Sequence, residues 1–416
     1  MRWYTKLAAA ALAATLQACV TPPANAPLTP PPAVAEVRAP VTILISIDGF
    51  RADYLDRGAT PVLSELAATG VRAAMIPSFP SKTFPNHYTL VTGLRPDRNG
   101  IVANRMLDPR RPGEVFTMAT LDSFWWDEAE PVWVAAEKAG IRTATMFWPG
   151  SNSKVMGTYP HDWQQFNQDV TGRQRVDAIV DWLRRPADNR PKFLTLYFDT
   201  VDTAGHQYGP DAAETTQAVA DVDALVGRLK DALDAMRQPV NFVIVADHGM
   251  APMSEDRVIP LYTMLPRDLA EVVEDGPYAA INPTEGKDAA LARVLLSPRD
   301  HMQCWRKDAI PERFHYGHNA RVPAYICLAE TGWTIRARAP RPDAKPMIGG
   351  NHGWDNQDPS MRALFIANGP AFRPGATLPS FDNVDVEPLL RILIGLPPHD
   401  AAIDGTAAPF AGVLIR

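Results

Sequence analysis

Short apolar runs alternate with helical patterns along most of this sequence, and that alternation limits the folds the chain can adopt. Residues 41–47 (VTILISI), 192–198 (KFLTLYF), 241–246 (NFVIVA) and 362–368 (RALFIAN) are predominantly apolar. Such runs, rich in β-branched and aromatic residues, are typical of strands buried on both faces of a sheet. Residues 211–236 instead carry apolar side chains at helical spacing. The pattern predicts an α/β fold in which helices flank a largely parallel central sheet.

The domain organisation follows from where this alternation begins and where it is interrupted. It begins at Val41, so we expect residues 41–416 to form one large domain. Residues 251–345 are irregular and richer in proline. We interpret them as a smaller insertion or cap that packs on the sheet.

The first residues have the features of an export signal. Arg2 and Lys6 precede an apolar stretch that is too short to span a bilayer, so residues 1–18 are predicted to be a signal peptide. The stretch ends in LQAC, which resembles the lipobox of bacterial lipoproteins and would make Cys19 the lipidated first residue. A conventional secretory cleavage at this point is the alternative. Residues 19–40 are rich in proline and predict a stiff, extended linker.

Export also determines how the cysteines are interpreted. We expect an exported, periplasmic protein whose contact with the membrane is a lipid on Cys19. Cys304 and Cys327 then remain as a pair in an oxidising compartment, where a disulfide is favoured over free thiols. Neither has the spacing of a metal ligand.

The overall charge argues against a nucleic acid as the main partner. The 416 residues carry a formal net charge of −6, so there is no excess of basic residues for binding a polyanion. We expect no specific nucleic-acid partner, and the sequence leaves the oligomeric state open.

Aspartate and histidine residues follow three of the predicted strands. In chain order they are Asp48, Asp202, His206, Asp247 and His248. His352, shortly before the last strand, is a further candidate. In open α/β sheets, ligands bind outside the carboxyl ends of the strands, so we expect these side chains to lie together.

Six ligands of this kind suit two metal ions. Catalytic zinc takes three protein ligands from histidine and carboxylates and keeps a position open. Half of these ligands are imidazoles, which favours Zn²⁺ over Mg²⁺ or Ca²⁺. Two zinc ions facing three carboxylates leave a net positive site, which would attract a phosphate ester, and paired metals promote displacement at phosphorus.

The stretch FPSKTFPNHYTLVTG, residues 79–93, contains a candidate nucleophile. Pro85 and Gly93 predict a short helix between them. Thr83 would lie just before its N-terminus, where backbone N–H groups favour negative charge. From this stretch alone, Thr83 as a helix cap is the commoner interpretation, and Thr83 as a nucleophile is the rarer one.

Several motifs together resemble the nucleotide pyrophosphatase/phosphodiesterase family of the alkaline phosphatase superfamily, in a compact bacterial form. They occur in the family's order over about 310 residues: DGFRADYL (48–55), PSKTFPNHYTLVTGLRPDRNGIVAN (80–104), MFWPGS (146–151), VDTAGHQYGP (201–210), ADHGM (246–250) and HGWDN (352–356). The resemblance implies an alkaline-phosphatase-like core for the catalytic domain.

The resemblance also implies roles for individual residues. Thr83 would be the nucleophile, and Asn104 would donate a hydrogen bond to a phosphate oxygen. One zinc ion would bind Asp202, His206 and His352, and the other would bind Asp48, Asp247 and His248. Phe84 and Tyr197 resemble aromatic residues that flank a nucleobase, and Phe166 matches more loosely.

The implied activity is zinc-dependent hydrolysis of nucleotide phosphodiester or pyrophosphate bonds, through a nucleotidyl-threonine intermediate that releases nucleoside 5′-monophosphates. An alkaline phosphomonoesterase or another phosphodiesterase of the superfamily is an alternative, and a non-catalytic, zinc-containing surface lipoprotein is an alternative of another class. A sulfatase is disfavoured because SKTFPNH lacks its nucleophile motif. We interpret His87 and Trp148 as structural and leave Lys82 open.

Overall fold

The computed structural model describes residues 36–340 and 348–415. The predicted signal peptide, Cys19 and the linker up to residue 35 lie outside the described residues, as do residues 341–347 of the predicted insertion. The described residues from Arg38 onward belong to one compact unit.

The strands before residue 251 are β1 (Val41–Ile47), β2 (Val71–Met75), β3 (Met106–Leu107), β4 (Val115–Phe116), β5 (Thr143–Met146), β6 (Asp162–Trp163), β7 (Phe193–Phe198) and β8 (Val240–Val245). The later strands are β9 (Ala251–Pro252), β10 (Val258–Ile259), β11 (Ala270–Glu274), β12 (Tyr278–Pro283), β13 (Met302–Arg306), β14 (Tyr325–Ala329), β15 (Thr334–Ile335), β16 (Gly350–Asn351), β17 (Ala363–Asn368) and β18 (Ala376–Thr377).

The helices are α1 (Pro61–Thr69), α2 (Thr83–Thr92), α3 (Pro96–Asn99), α4 (Val132–Lys138), α5 (Gly172–Leu183), α6 (Thr200–Tyr208), α7 (Ala213–Ala235), α8 (Asp288–Leu295) and α9 (Val386–Ile394). The predicted apolar face of α7 is buried, except that Leu225 is only partly covered. Thr60 precedes α1 but does not cap it through its side chain; its hydroxyl instead donates to the Leu55 carbonyl.

The central sheet has eight strands among the described residues, in the order β18-β2-β17-β8-β1-β7-β5-β6. β17 pairs antiparallel with β2 and β8, and the remaining pairs are parallel. All seven residues of β1 are buried, as expected for an apolar strand covered on both faces. The predicted α/β fold with a largely parallel sheet is confirmed. Because β1 lies between β8 and β7, the carboxyl ends of these three strands are neighbours.

A second sheet lies in the region that the sequence suggested as an insertion. Its order is β11-β12-β14-β13, with antiparallel pairing throughout. Cys304 on β13 is paired in register with Cys327 on β14, and the two form a disulfide.

The two faces of this second sheet pack into different clusters. On β12, Tyr278 and Ala280 belong to the main hydrophobic core, whereas Ala279 and Ile281 belong to a second cluster that includes Leu291 of α8. Successive side chains of a strand point to opposite faces, so the sheet lies between the main core and α8. One face therefore packs on the main core, and the other packs with α8 in the second cluster, which also includes Ala251 and Trp354.

Candidate active site

Two adjacent strand ends bring together Asp48, Asp247 and His248. Asp48 follows β1, and the other two residues follow β8 after Ala246. The Nε2 atom of His248 lies 2.8 Å from Asp247 Oδ2 and 3.5 Å from Asp48 Oδ1. All three side chains are buried. The three atoms lie within 4.8 Å of one another, so one ion could contact all of them.

A second set combines residues that follow the third strand end with His352, which directly follows β16. Asp202 and His206 lie one turn apart on α6, which follows β7, and His206 Nε2 is 3.3 Å from Asp202 Oδ2. His352 Nε2 lies 3.2 Å from His206 Nε2 and 3.7 Å from Asp202 Oδ1. His248 also lies within reach of Asp202 and His352, so it stands between the two sets.

Glycine allows the first strand end to approach this second set. Gly49, directly after Asp48, has φ +67°, and a Cβ there would meet Asp202 Cα at 3.0 Å. A larger residue would therefore be strained and would separate the two aspartates.

Backbone carbonyls orient the three histidines. The Nδ1 atoms of His206, His248 and His352 lie 2.9 Å, 2.9 Å and 2.8 Å from the carbonyl oxygens of Gly350, Gly249 and Ser81. A carbonyl only accepts hydrogen bonds, so each Nδ1 carries the proton. Each Nε2 then presents a lone pair to the cluster, which is the arrangement that metal-binding histidines show.

One oxygen of each carboxylate in the cluster has no hydrogen-bond donor in the described part of the chain. Asp48 Oδ1, Asp202 Oδ1 and Asp247 Oδ2 are buried without hydrogen bonds among the described residues. Burial, followed by repulsion from Asp247 and Asp202, raises the pKa of the Asp48 carboxyl. Burial likewise lowers the pKa of His352. Buried acceptors of this kind need a cation, so the donor set fits metal ions, with the imidazoles favouring zinc.

Thr83 is the first residue of α2, rather than the residue before the helix as the sequence suggested. Lys82 occupies the N-cap position and makes no capping bond with its side chain. The hydroxyl of half-buried Thr83 lies 3.4 Å from His248 Nε2, so it faces the metal cluster at a helix N-terminus.

Asn104 lies beside the start of the same helix. Its Oδ1 atom accepts a hydrogen bond from the backbone N–H of Phe84 at 2.9 Å. With Oδ1 engaged, its NH₂ group is the part of the side chain that can donate to a ligand in the cleft.

The cleft in front of Thr83 has a volume of about 570 Å³, and its lining includes Phe84, Phe166 and Tyr197. Phe84 is backed by Trp126, with ring centroids 5.9 Å apart. Phe166 is 44% exposed, but Tyr197 is only 9% exposed. The Tyr197 hydroxyl donates to Asp48 Oδ2 at 2.6 Å, and burial raises the pKa of Tyr197. Tyr197 therefore orients a carboxylate of the cluster and offers less ring surface than Phe166.

Three residues that the sequence left open or judged structural also lie at the site: Lys82, His87 and Trp148, which lines the cleft. Lys82 lines the cleft and is 8% exposed, and its Nζ is 3.7 Å from Glu274 Oε1 on β11. His87 contacts the Thr83 carbonyl through Nδ1 and the Ser46 hydroxyl through Nε2. Burial lowers the pKa of His87 to about 3, so its imidazole is uncharged at neutral pH and supports the backbone at Thr83 through a hydrogen bond. The link from Lys82 to Glu274 spans nearly half the chain, and no local sequence signal indicates it.

Residues 42–355 match a family described as type I phosphodiesterase / nucleotide pyrophosphatase. The chain belongs to this family. It is therefore a phosphodiester hydrolase of the nucleotide pyrophosphatase type, with the alkaline-phosphatase-like fold predicted from its motifs. The family is metal-dependent, and the structure contains two candidate metal groups that share His248: Asp48, Asp247 and His248, and Asp202, His248 and His352, with His206 outside both.

Individual relatives cover most of the chain. Bis(5′-adenosyl)-triphosphatase enpp4 of Xenopus laevis is 39% identical over 373 residues, which are 88% of this chain and 81% of the relative. Ectonucleotide pyrophosphatase/phosphodiesterase family member 1 of Mus musculus is 36% identical over 389 residues, which are 88% of this chain and 42% of that protein.

A solved structure is similar over its full length. It is murine ectonucleotide pyrophosphatase/phosphodiesterase 5, an inactive threonine-to-alanine variant in complex with AMP, with a TM-score of 0.84 and 33% identity. The match covers 91% of this chain and 100% of that chain. Within the described part of our chain, no helix has the length and apolar character needed to cross a membrane.

Proposed function

We propose that the protein hydrolyses nucleotide phosphodiester and pyrophosphate bonds with two zinc ions and a nucleotidyl-threonine intermediate, and releases nucleoside 5′-monophosphates. The observation that carries the proposal is the position of the Thr83 hydroxyl, 3.4 Å from His248 Nε2 at the N-terminus of α2. A threonine that only capped the helix would not need to place its hydroxyl beside the ligand cluster. A nucleophile that attacks a phosphate held by metal ions would need that position.

The six ligands divide into Asp202, His206 and His352 for one ion and Asp48, Asp247 and His248 for the other. When bound, paired zinc ions would supply Lewis-acid activation and neutralise the charge on a phosphate ester. Without bound metal ions, the negative charge of the three carboxylates would repel an approaching anion.

The chain's own residues account for positioning. The NH₂ group of Asn104 would donate to a phosphate oxygen, while the Phe84 N–H at the start of α2 holds the Oδ1 atom of the same side chain. Thr83 Oγ1 would form a bond to phosphorus as the bond to the leaving oxygen breaks. Water would then form a bond to phosphorus and release Thr83.

The charge of the cleft favours a diester. Of the described residues that line the cleft, Lys82 is the only lysine or arginine, and Glu274 partly neutralises it. The second negative charge of a monoester would therefore lack a dedicated guanidinium. Phe84 and Phe166, with less contribution from Tyr197, offer flat surfaces on which a base can stack.

The names and descriptions of two relatives support this assignment. The inactive variant of the murine neighbour has a threonine replaced by alanine and is in complex with AMP, and the Xenopus relative is named for a dinucleotide substrate. Both descriptions suit a threonine nucleophile and a nucleotide substrate.

The decisive experiment traps the covalent intermediate. The enzyme is mixed with excess nucleoside 5′-aryl phosphodiester, quenched with acid and digested. Mass spectrometry should then find one nucleotidyl group on the peptide that contains Thr83. Thr83→Ala should abolish both the adduct and turnover while retaining metal. Thr89→Ala, which alters a buried threonine on the same helix, is the matched control and should retain both.

Two outcomes would contradict parts of the proposal. Full turnover by Thr83→Ala would exclude the nucleophile. Faster hydrolysis of aryl monoesters than of nucleotide diesters would favour the phosphomonoesterase instead.

We further propose that residues 1–18 direct export to the periplasm, that Cys19 carries a lipid, and that residues 41–416 form the catalytic domain with an insertion at about 251–345. The relatives named ectonucleotide enzymes agree with a location outside the cytoplasm. Cys19→Ala should move the protein from the membrane fraction to the soluble fraction, and a wild-type protein that is already soluble would exclude the anchor.

A further inference from the structure

A short segment of the insertion, Tyr316–Arg321, lies against the stretch Asp97–Asn104, which ends at the phosphate-oxygen donor proposed above. The Asp97 carboxylate accepts hydrogen bonds from three consecutive backbone N–H groups at positions 317–319. The Tyr316 hydroxyl donates to the Val102 carbonyl at 3.0 Å. Two parts of the chain more than 200 residues apart are therefore joined directly beside Asn104.

Arg321 is the centre of this contact. Its side chain is fully buried, which is rare for arginine and requires that its donors be satisfied. It contacts Asp108 Oδ2 (2.8 Å), Gly100 O (2.7 Å), Trp125 O (2.8 Å), Phe124 O (3.1 Å) and Glu128 Oε1 (3.2 Å). One guanidinium thus ties together both ends of the segment from Gly100 to Trp125. Asn104, Met118 and Ala119 of this segment line the cleft.

We propose that Tyr316 and Arg321 are positioning residues for the hydrolysis, which act by fixing Asn104. The inference rests on the proposed function, because it assigns a task to a donor whose role belongs to that proposal. Arg321 holds Gly100, Tyr316 holds Val102, and the Phe84 N–H holds Asn104 Oδ1. The NH₂ group of Asn104 is thereby fixed from both the insertion and the nucleophile's helix.

The physical reason is preorganisation. A donor that stabilises charge in the transition state helps only if it is already in place, and displacement by about 1 Å can reduce the rate about 100-fold. Val102 lies two residues before Asn104, so release of its carbonyl permits movement of that size. Such movement would lower kcat and leave KM nearly unchanged.

The test is a pair of double-mutant cycles with metal-loaded enzyme. Tyr316→Phe removes one buried hydroxyl and keeps the ring. Arg321→Lys keeps the positive charge but loses the planar set of guanidinium N–H donors. We expect kcat to fall about 5-fold and about 30-fold respectively. In an Asn104→Ala background, each substitution should change kcat less than about 2-fold, because the donor it positions is already absent.

A matched control separates positioning from general loss of stability. Arg391 on α9 is also buried and bonded to a carboxylate, Glu387, and to the Pro397 carbonyl, but it does not line the cleft. Arg391→Lys should lower the melting temperature, as Arg321→Lys does, with kcat unchanged.

The outcomes distinguish the role of Asn104 as a phosphate donor from the role of Tyr316 and Arg321 in positioning it. If Asn104→Ala leaves kcat intact, the proposed role of Asn104 fails. If Asn104→Ala is slow but the effects of Tyr316→Phe and Arg321→Lys persist in full in that background, the chemistry stands and the positioning role is wrong. If Arg391→Lys lowers kcat as much as Arg321→Lys, the effect is one of stability, which also overturns the role.

Discussion

The central sheet and the insertion sheet contribute to the same cleft in different ways. The central sheet carries five of the six candidate ligands at the ends of three neighbouring parallel strands, β8, β1 and β7, or on the helix that follows β7, and His352 follows β16 outside this sheet. The antiparallel insertion sheet contributes no candidate ligand among its described residues. It contributes Glu274 beside Lys82, and the connection between its strands β13 and β14 contains Tyr316 and Arg321.

The difference follows from the geometry of the two sheets. Parallel strands all end at the same edge, so residues far apart in sequence meet there without further support. In an antiparallel sheet, successive strands end at opposite edges, so its residues cannot converge in this way. We infer that the central sheet determines which chemistry occurs and that the insertion determines how well the chemistry is aligned.

Removal of metal should have the largest effect, because it acts directly on the candidate ligands, five of which the central sheet carries. Paired ions supply several kcal/mol of transition-state stabilisation, so chelation should lower turnover at least about 1000-fold. Zn²⁺ should restore the activity, and metal analysis should find about two ions per chain.

A single-ligand variant sharpens that expectation. His206→Ala should retain about one ion, because Asp48, Asp247 and His248 would remain complete. Loss of both ions would show that the two sets are one site, and an active preparation with one ion would contradict the two-metal proposal.

Replacement of Asn104 should have the next largest effect. Asn104→Ala should reduce kcat about 100- to 1000-fold, as expected for a donor to a developing negative charge. Asn104→Asp keeps an acceptor for the Phe84 N–H but loses the NH₂ group, so it should be at least as slow. If the aspartate variant were as fast as wild type, Asn104 would serve only to hold α2.

The sequence predicts the central sheet and the aspartates at its strand ends because both arise from local patterns, whereas the division of the ligands between two ions comes from the family resemblance and stays a prediction. The run VTILISI followed by aspartate gives a buried strand and a side chain at its end, and repetition of that pattern places the ends together. The sequence predicts Thr83 one position before the helix, but it is the first residue of α2, because Lys82, which has no capping side chain, occupies the N-cap.

The insertion's contribution was not predictable because its contacts are long-range. Nothing near Arg321 indicates that it bonds to Gly100 and Asp108, and nothing near Glu274 indicates Lys82. Tyr197 shows the same limit: its position suggested stacking on a base, but its hydroxyl bonds to Asp48 across two paired strands.

Phe84 should have a smaller effect that depends on the substrate. Stacking of a base on an aromatic ring contributes about 1–3 kcal/mol, so Phe84→Ala should reduce kcat/KM about 5- to 150-fold for nucleotide diesters. Small methyl aryl diesters should lose much less. Equal losses on both substrates would mean that Phe84 supports α2 through Trp126 and does not contact a base.

The smallest effect on catalysis should come from the face of the insertion sheet that is turned away from the main core. Leu291 on α8 is fully buried in the second cluster, so Leu291→Ala should lower the free energy of unfolding by about 2–5 kcal/mol. It should leave kcat within about 2-fold of wild type, because no described cleft residue belongs to that cluster.

Ile326→Ala is the paired variant, since Ile326 is also fully buried but belongs to the main core on the opposite face. Its loss of stability should be similar, but kcat should also fall a few-fold, because that face carries Tyr278, which bonds to the Glu274 partner of Lys82. Denaturant unfolding and steady-state kinetics on both variants measure the two quantities separately. Equal kcat values at equal loss of stability would mean that the insertion stabilises the protein without aligning the cleft. The central sheet would then carry the chemistry, and the insertion sheet would contribute only to stability.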